Sequence, residues 1–236
     1  MSEIALKLNN LQAWYGESHI LHGVDLHVGK GEVVTLLGRN GAGRTTTLRA
    51  ILGLTDTRSG SVSIHGTESI AMSTHRIAHL GLGYCPEERG IFASLSCEEN
   101  LLLPPPIGAL GGGMSLSEIY DMFPNLLERR HSPGTRLSGG EQQMLAVARI
   151  LRTGANLLLL DEISEGLAPV IVQTLARMIH ALKERGYTIV MVEQNFHFAA
   201  PLADRFYVME HGKIVEHFEA AALPEKQETL NELLGV

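Results

Sequence analysis

The sequence predicts a layered α/β protein built on a largely parallel sheet. Three observations carry this. Short apolar runs at 32–37, 156–160 and 188–192 have the length and composition of buried strands. Stretches with helical periodicity alternate with them, and alternating strand and helix is the signature of a parallel sheet. A glycine-rich turn follows the first of these runs directly and opens a helix.

In chain order, residues 4–8 and 24–28 alternate apolar with polar and read as strands, with a turn at 29–31. After the 32–37 run and its glycines, 45–54 reads as a helix closed by Gly53. Residues 61–66 read as a strand entering a hairpin turn. Between 93 and 136 the character changes. Helical stretches at 96–103 and 115–122 are separated by Pro104–Pro106 and Gly111–Gly113, which predicts a helical insert with a flexible joint. Met144, Leu145, Ala148, Ile150 and Leu151 continue a helix begun after Ser138. An amphipathic helix at 170–185 and a strand at 188–192 follow.

Composition narrows the function. The 236 residues are 44% hydrophobic with a formal net charge of -7, enough for one large domain with an ordinary core. There is no dense Lys/Arg stripe, so nucleic acid is not expected as a partner. No apolar run approaches the roughly 20 residues that span a bilayer, and the N-terminus lacks a signal-peptide layout. Cys85 and Cys97 form no framework and read as reduced thiols.

The stretch 38–46, GRNGAGRTT, meets the phosphate-loop pattern at Gly38, Gly43 and Thr45 but carries Arg44 where lysine is usual. Glycines let amides converge on phosphate oxygens, and the following helix end adds positive potential. Arginine keeps the charge as a planar fork rather than a point. Nucleotide binding is therefore expected to survive, with slowed hydrolysis. Asp161 and Glu162 end the leucine run 157–160. Beside a phosphate loop such a pair holds Mg²⁺ and orients or deprotonates a water; alone, it would read as a helix cap. Residues 136–143, RLSGGEQQ, place Ser138 and two glycines at a helix start. That is a second anion-seeking tip, or a capping box of Ser138 with Glu141. His197, His211 and His217 lack ligand spacing and read as surface histidines.

GRNGAGRTT, LSGGEQQ, LLLLDE and the 164–168 stretch SEGLA together resemble the ATP-binding subunit of an ABC transporter, over nearly the whole chain. The resemblance implies one ABC domain over 1–236. It has an α/β P-loop NTPase (RecA-like) core, an N-terminal antiparallel β subdomain and an inserted α-helical subdomain at 93–136. It implies ATP and Mg²⁺ as cofactors and two subunits paired head to tail. Each ATP then lies between Gly38, Arg39, Asn40, Gly41, Ala42, Gly43, Arg44, Thr45 and Thr46 of one copy and Ser138, Gly139, Gly140 and Gln142 of the other. Tyr15 matches the adenine-stacking aromatic, though a surface tyrosine is an equal reading. Thr45, Glu87 and Asp161 match the magnesium residues, Glu162 the catalytic base, and residues 164–168 the loop coupling the two sites.

Two positions depart from the broad family. Glu87 of YCPEERGIF stands at the usual loop glutamine, and Gln194 of MVEQN at the usual switch histidine. Glutamine can donate to phosphate but cannot titrate, so Gln194 joins Glu162 as a catalytic group without a proton-relay role. These features, with ENLLL and GLAP, resemble the second ATPase subunit of branched-chain amino-acid importers, a branch with relatives serving urea and amides. The resemblance implies integral-membrane permease partners and a second ATPase subunit, identical or paralogous. It implies an indirect link to a periplasmic solute-binding protein, and a peripheral location on the cytoplasmic face of the inner membrane. Arg44 keeps a second reading open, a nucleotide-binding regulatory subunit with weak hydrolysis. A soluble ABC ATPase acting on ribosomes or DNA is disfavoured, because this chain has one cassette without coiled coils or zinc motifs.

Overall fold

The computed structural model describes residues 3–107 and 112–235. They form two sheets with helices packed between and around them. The first sheet is antiparallel, in the order β2 (Ser18–Gly29), β1 (Ile4–Tyr15), β4 (Thr57–Ile64), β5 (Thr67–Glu68). The second has six strands in the order β10 (Lys213–Glu219), β9 (Arg205–Glu210), β3 (Val33–Leu37), β8 (Thr188–Val192), β7 (Leu157–Asp161), β6 (Leu82–Cys85). All its pairings are parallel except β9 with β10. This is the mixed α/β architecture expected, with the antiparallel sheet at the N-terminal side of the chain.

β1 and β2 run much longer than the alternation at 4–8 and 24–28 suggests. Their pairing carries register shifts, one of them between Leu8 and Leu11. Asn10 there has a positive φ of 47°, and its amide donates to Asp25 Oδ1 at 2.8 Å. A bulge inserts a residue and flips the inside–outside period, so alternation breaks while the strand continues.

Every residue of β3, β7 and β8 is buried. These three are neighbours, and their carboxyl ends open on the same edge of the sheet. Crevices at that edge are where ligands bind in open α/β sheets. One face of the sheet, with α1 (Arg44–Leu52), packs on the antiparallel sheet through Val34, Leu36, Leu48, Ile51 and Val190. The other face packs on α6 (Gly139–Leu151) and α7 (Pro169–Glu184) through Leu145, Leu158, Leu160, Leu175 and Met191.

The helical stretch contains α3 (Cys97–Leu102), α4 (Leu116–Met122) and α5 (Pro124–Glu128), after the short α2 (Thr74–Ala78). Leu101, Ile119, Phe123 and Leu126 join the core beneath α6. Of the expected joint, Gly111 lies outside the described residues. The chain ends with α8 (Phe196–Ala199), the β9–β10 hairpin and α9 (Leu223–Leu234). Among the described residues no helix is long and apolar enough to cross a membrane.

Candidate nucleotide site

The glycine loop leaves β3 and enters α1 with no side chain capping the helix. Gly43 holds the N-cap position at φ 105°. A Cβ there would lie 3.0 Å from Leu21 Cδ2 and 3.2 Å from Met209 Cε, so only glycine fits without strain. The first turn contains no acid. Its amides therefore face the cleft without a partner side chain, and such a tip is suited to an anion.

Arg44 is the first residue of that turn, and its side chain is only 4% exposed. Nη2 donates to Glu162 Oε1 at 2.7 Å and to Asn40 Oδ1 at 3.1 Å. Nη1 is buried and has no partner. A buried, unpaired guanidinium nitrogen is costly and marks a place for a ligand acceptor. Thr45 Oγ1 donates to Asp161 Oδ1 at 3.1 Å, and Tyr84 Oη donates to Asp161 Oδ2, also at 3.1 Å. Asp161 closes β7, and Glu162 follows in the left-handed region at φ 48°, its amide donating to Val192 O at 2.9 Å. That strained turn is what aims Glu162 back at Arg44.

The electrostatics are unusual. Burial pushes the Glu162 carboxyl up to about 7, its contact with Glu165 adds to this, and Arg44 only partly offsets them. Burial also raises Asp161, against the hydroxyl bonds from Thr45 and Tyr84. The carboxylates of Glu87, Glu162 and Glu165 lie within 4.8 Å of one another. A cleft of about 460 Å³ is lined by Asn40, Arg44, Thr45, Glu87, Glu162 and Glu165. The hydroxyl of Thr45 and the carboxylate of Asp161 are hard oxygen donors, which suits Mg²⁺; Glu87 sits with the other two acids on the same cleft.

The remaining expected residues are placed differently. Gln194 does not line that cleft; it lines one cavity with Gly38, Arg39, Asn40 and Glu193 and another with Glu162, Ser164 and Glu165. Tyr15 ends β1 and has the Arg49 guanidinium 5.7 Å from its ring centroid. Ser138, Gly139, Gly140 and Gln142 do not line the cleft within one chain. Ser138 and Glu141 form a complete capping box, so the bland reading of that pair describes the single chain. The two glycines had no account in that reading, and the structure supplies one for Gly140: a Cβ there would lie 2.7 Å from Ile171 Cγ1. Gln142 donates to Gly134 O at 3.0 Å and accepts from Arg89 at 2.9 Å. His217 stacks on Tyr207, and among the described residues the acidic trio is the one close group of three metal-capable side chains.

Glu193 escaped the reading of the sequence. It is 1% exposed, accepts from Ser164, and burial pushes it up to about 7. The signal was present: an acid directly after the apolar run 188–192.

A family model described as "ABC transporter" matches residues 21–165. The chain is 39% identical, over 98% of its length and 99% of the other's, to the high-affinity branched-chain amino acid transport ATP-binding protein BraG of Pseudomonas aeruginosa. It is 31% identical, over 90% of its length and 89% of the other's, to the lipopolysaccharide export system ATP-binding protein LptB of Escherichia coli. Among solved structures, a dimeric ATP-binding cassette in a post-hydrolysis state with ADP and Pi superposes with a TM-score of 0.75 at 23% identity. That match covers 91% of this chain and 98% of the other.

Proposed function

The chain belongs to the ABC transporter ATP-binding family, whose cassettes are ATPases, and from that premise we propose that it is the ATP-hydrolysing subunit of an importer for branched-chain or other amino acids. One observation carries the site reading. An uncapped helix tip, a buried arginine with a free Nη1 and the Glu162 carboxylate meet in a single cleft, with the buried Asp161 bonded to the cleft-lining Thr45.

The residue roles follow from that geometry. Amides of 39–46 and the Arg44 fork receive the β- and γ-phosphates. Thr45 and Asp161 would hold Mg²⁺, with Glu87 near it; the ion supplies charge neutralisation on the phosphates. Glu162 accepts the proton of the attacking water, and its raised pKa near 7 suits a base working at neutral pH. In the empty site Arg44 holds that carboxylate at 2.7 Å. Phosphate oxygens compete for the same guanidinium, so binding frees the base. Gln194, which shares a cavity with Glu162, donates toward the γ-phosphate. Tyr15 stacks on adenine once Arg49 yields its ring.

Hydrolysis needs a second ATPase subunit, identical or paralogous, packed head to tail. Its Ser138, Gly139, Gly140 and Gln142 cover the nucleotide, and residues 164–168 couple the two sites. The assembly sits on the cytoplasmic face of the inner membrane. Residues 93–136, as a helical subdomain of the single domain 1–236, dock on permease subunits that receive solute from a periplasmic binding protein. The likeness to BraG over 98% of the chain supports amino acids as cargo; urea or amides are the nearest alternatives.

The Arg44–Glu162 pair also favours a second reading, a nucleotide-binding regulatory subunit with weak hydrolysis. Mg-ATP affinity and turnover decide between them. As a motor, the native chain binds and turns over, Arg44→Lys turns over faster, and Glu162→Gln binds but stops. Equal turnover of the native chain and Glu162→Gln would leave only the regulatory reading; no binding by the native chain would end both. Copurification with amino-acid permease subunits tests the cargo.

A further inference from the structure

Glu193 and Ser164 arise on adjacent strand ends, because Asp161 and Val192 are register partners of β7 and β8. Glu193 Oε2 accepts from Ser164 Oγ at 2.8 Å, and Oε1 accepts from the Ser164 amide at 3.2 Å. Both residues are buried, at 1% and 4% exposure. Among the described residues Glu193 makes no ion pair, so this two-point contact is what holds its carboxyl. A buried carboxyl without a cation is an expensive way to fill space, and an apolar residue would fill it at lower cost.

The contact lies between two working segments. On one side, Glu193 and Gln194 line the cavity that touches Gly38, Arg39 and Asn40 of the phosphate loop. On the other, Ser164 begins the 164–168 stretch that leads into α7. Glu193, Gln194, Ser164 and Glu165 share with Glu162 a further cavity of about 330 Å³, whose space leaves the loop room to shift.

We propose that Glu193 is a positioning residue: its bidentate grip on Ser164 makes the Gln194 turn and the 164–168 loop move as one unit when nucleotide fills the site. This rests on the reading of the site given above. Two hydrogen bonds to one residue fix both its position and its orientation, so a displacement of residues 193–194 is passed to 164 without slack. A salt bridge to a flexible cation would transmit less. The Glu193–Ser164 contact thereby links the Gln194 turn to the 164–168 loop, whose Glu165 also lines the nucleotide cleft.

Amide hydrogen exchange with and without Mg-ATP tests this, in the full chain carrying Glu162→Gln so that nucleotide persists. With Glu193 and Ser164 intact, nucleotide slows exchange at both 39–46 and 164–168, the latter by about fivefold or more. In Ser164→Ala and Glu193→Ala the slowing at 39–46 stays within about twofold of the parent, while that at 164–168 falls below about twofold. Glu193→Gln, which can still pair with the serine amide and hydroxyl, restores the response; a role in core packing alone predicts no such split. An unchanged response at 164–168 in Ser164→Ala overturns the proposal even if Glu193→Ala does not fold. Absence of slowing at 39–46 in the parent overturns the reading of the site, and this inference with it.

Discussion

Two helix beginnings in this molecule look alike in sequence and differ in state. α6 starts with Ser138, whose hydroxyl accepts from the Glu141 amide while Glu141 accepts from the Ser138 amide. α3 and α4 start the same way, with Ser96 and Glu99, and with Ser115 and Glu118. α1 starts on Gly43 with no cap, no first-turn acid, and a buried arginine whose Nη1 has no partner. These three tips are completed by their own side chains; α2, α5, α7 and α9 lack a side-chain cap as α1 does, but α1 alone of the described helices opens on a buried arginine with an unpartnered nitrogen. That open tip is beside the raised carboxyls Asp161 and Glu162 and the strained turn at Glu162. What sets α1 apart is the coincidence of an uncapped tip, an unpartnered buried guanidinium and raised carboxyls, the kind of local conflict expected at a functional site.

The largest expected effect breaks the open end chemically. Glu162→Gln removes the base, so turnover falls by about two to four orders of magnitude with Mg-ATP affinity kept, checked by steady-state phosphate release beside equilibrium binding. The capped tips predict no such separation: Ser138→Ala leaves the isolated chain's affinity intact.

The next sharpens the comparison through pH. At the open end Glu193 is raised by burial to about 7. Between its unfolded value near 4.5 and 7 the native state keeps a proton that the unfolded state releases, so stability falls as pH rises through that window, by up to about 3 kcal/mol. At the capped end, burial raises Glu141, but the bonds from Ser138 outweigh it and hold it below the usual carboxylate range. Glu99 is held low by Ser96, and Glu118 by Ser115. The caps therefore contribute above the unfolded value and lose their contribution as pH falls. Urea midpoints from pH 4 to 7.5 are expected to show Glu193→Gln flattening the fall toward neutral pH, and Glu141→Gln weakening the chain at neutral pH but not at acidic pH.

Smaller effects separate packing from capping within α6. Gly140→Ala drives a Cβ into Ile171 and costs about 1–3 kcal/mol by urea unfolding. Ser138→Ala loses only the cap, about 1 kcal/mol.

Much of this was legible in the residues. The 32–37, 157–160 and 188–192 runs announced β3, β7 and β8, because strands buried on both faces are apolar without alternation. The glycine loop, Asp161 and Glu162 were legible as a set, and the structure brings them into contact through Arg44–Glu162 and Thr45–Asp161. β1 and β2 were not, because bulges reset their period. Gly140 was read as part of an anion tip; its contact with Ile171 comes from a helix more than thirty residues away in sequence, which spacing does not reveal. Glu193 was passed over because its partner, Ser164, is brought to it by strand adjacency alone.

The central claim is that the α1 tip is open because a nucleotide's phosphates complete it. Calorimetric titration of the native chain with Mg-ATP tests this most directly, beside Gly43→Ala and Ser138→Ala. The account predicts saturable one-to-one binding that Gly43→Ala abolishes and Ser138→Ala leaves in place. No heat of binding with the native chain, or equal losses in the two variants, would contradict it.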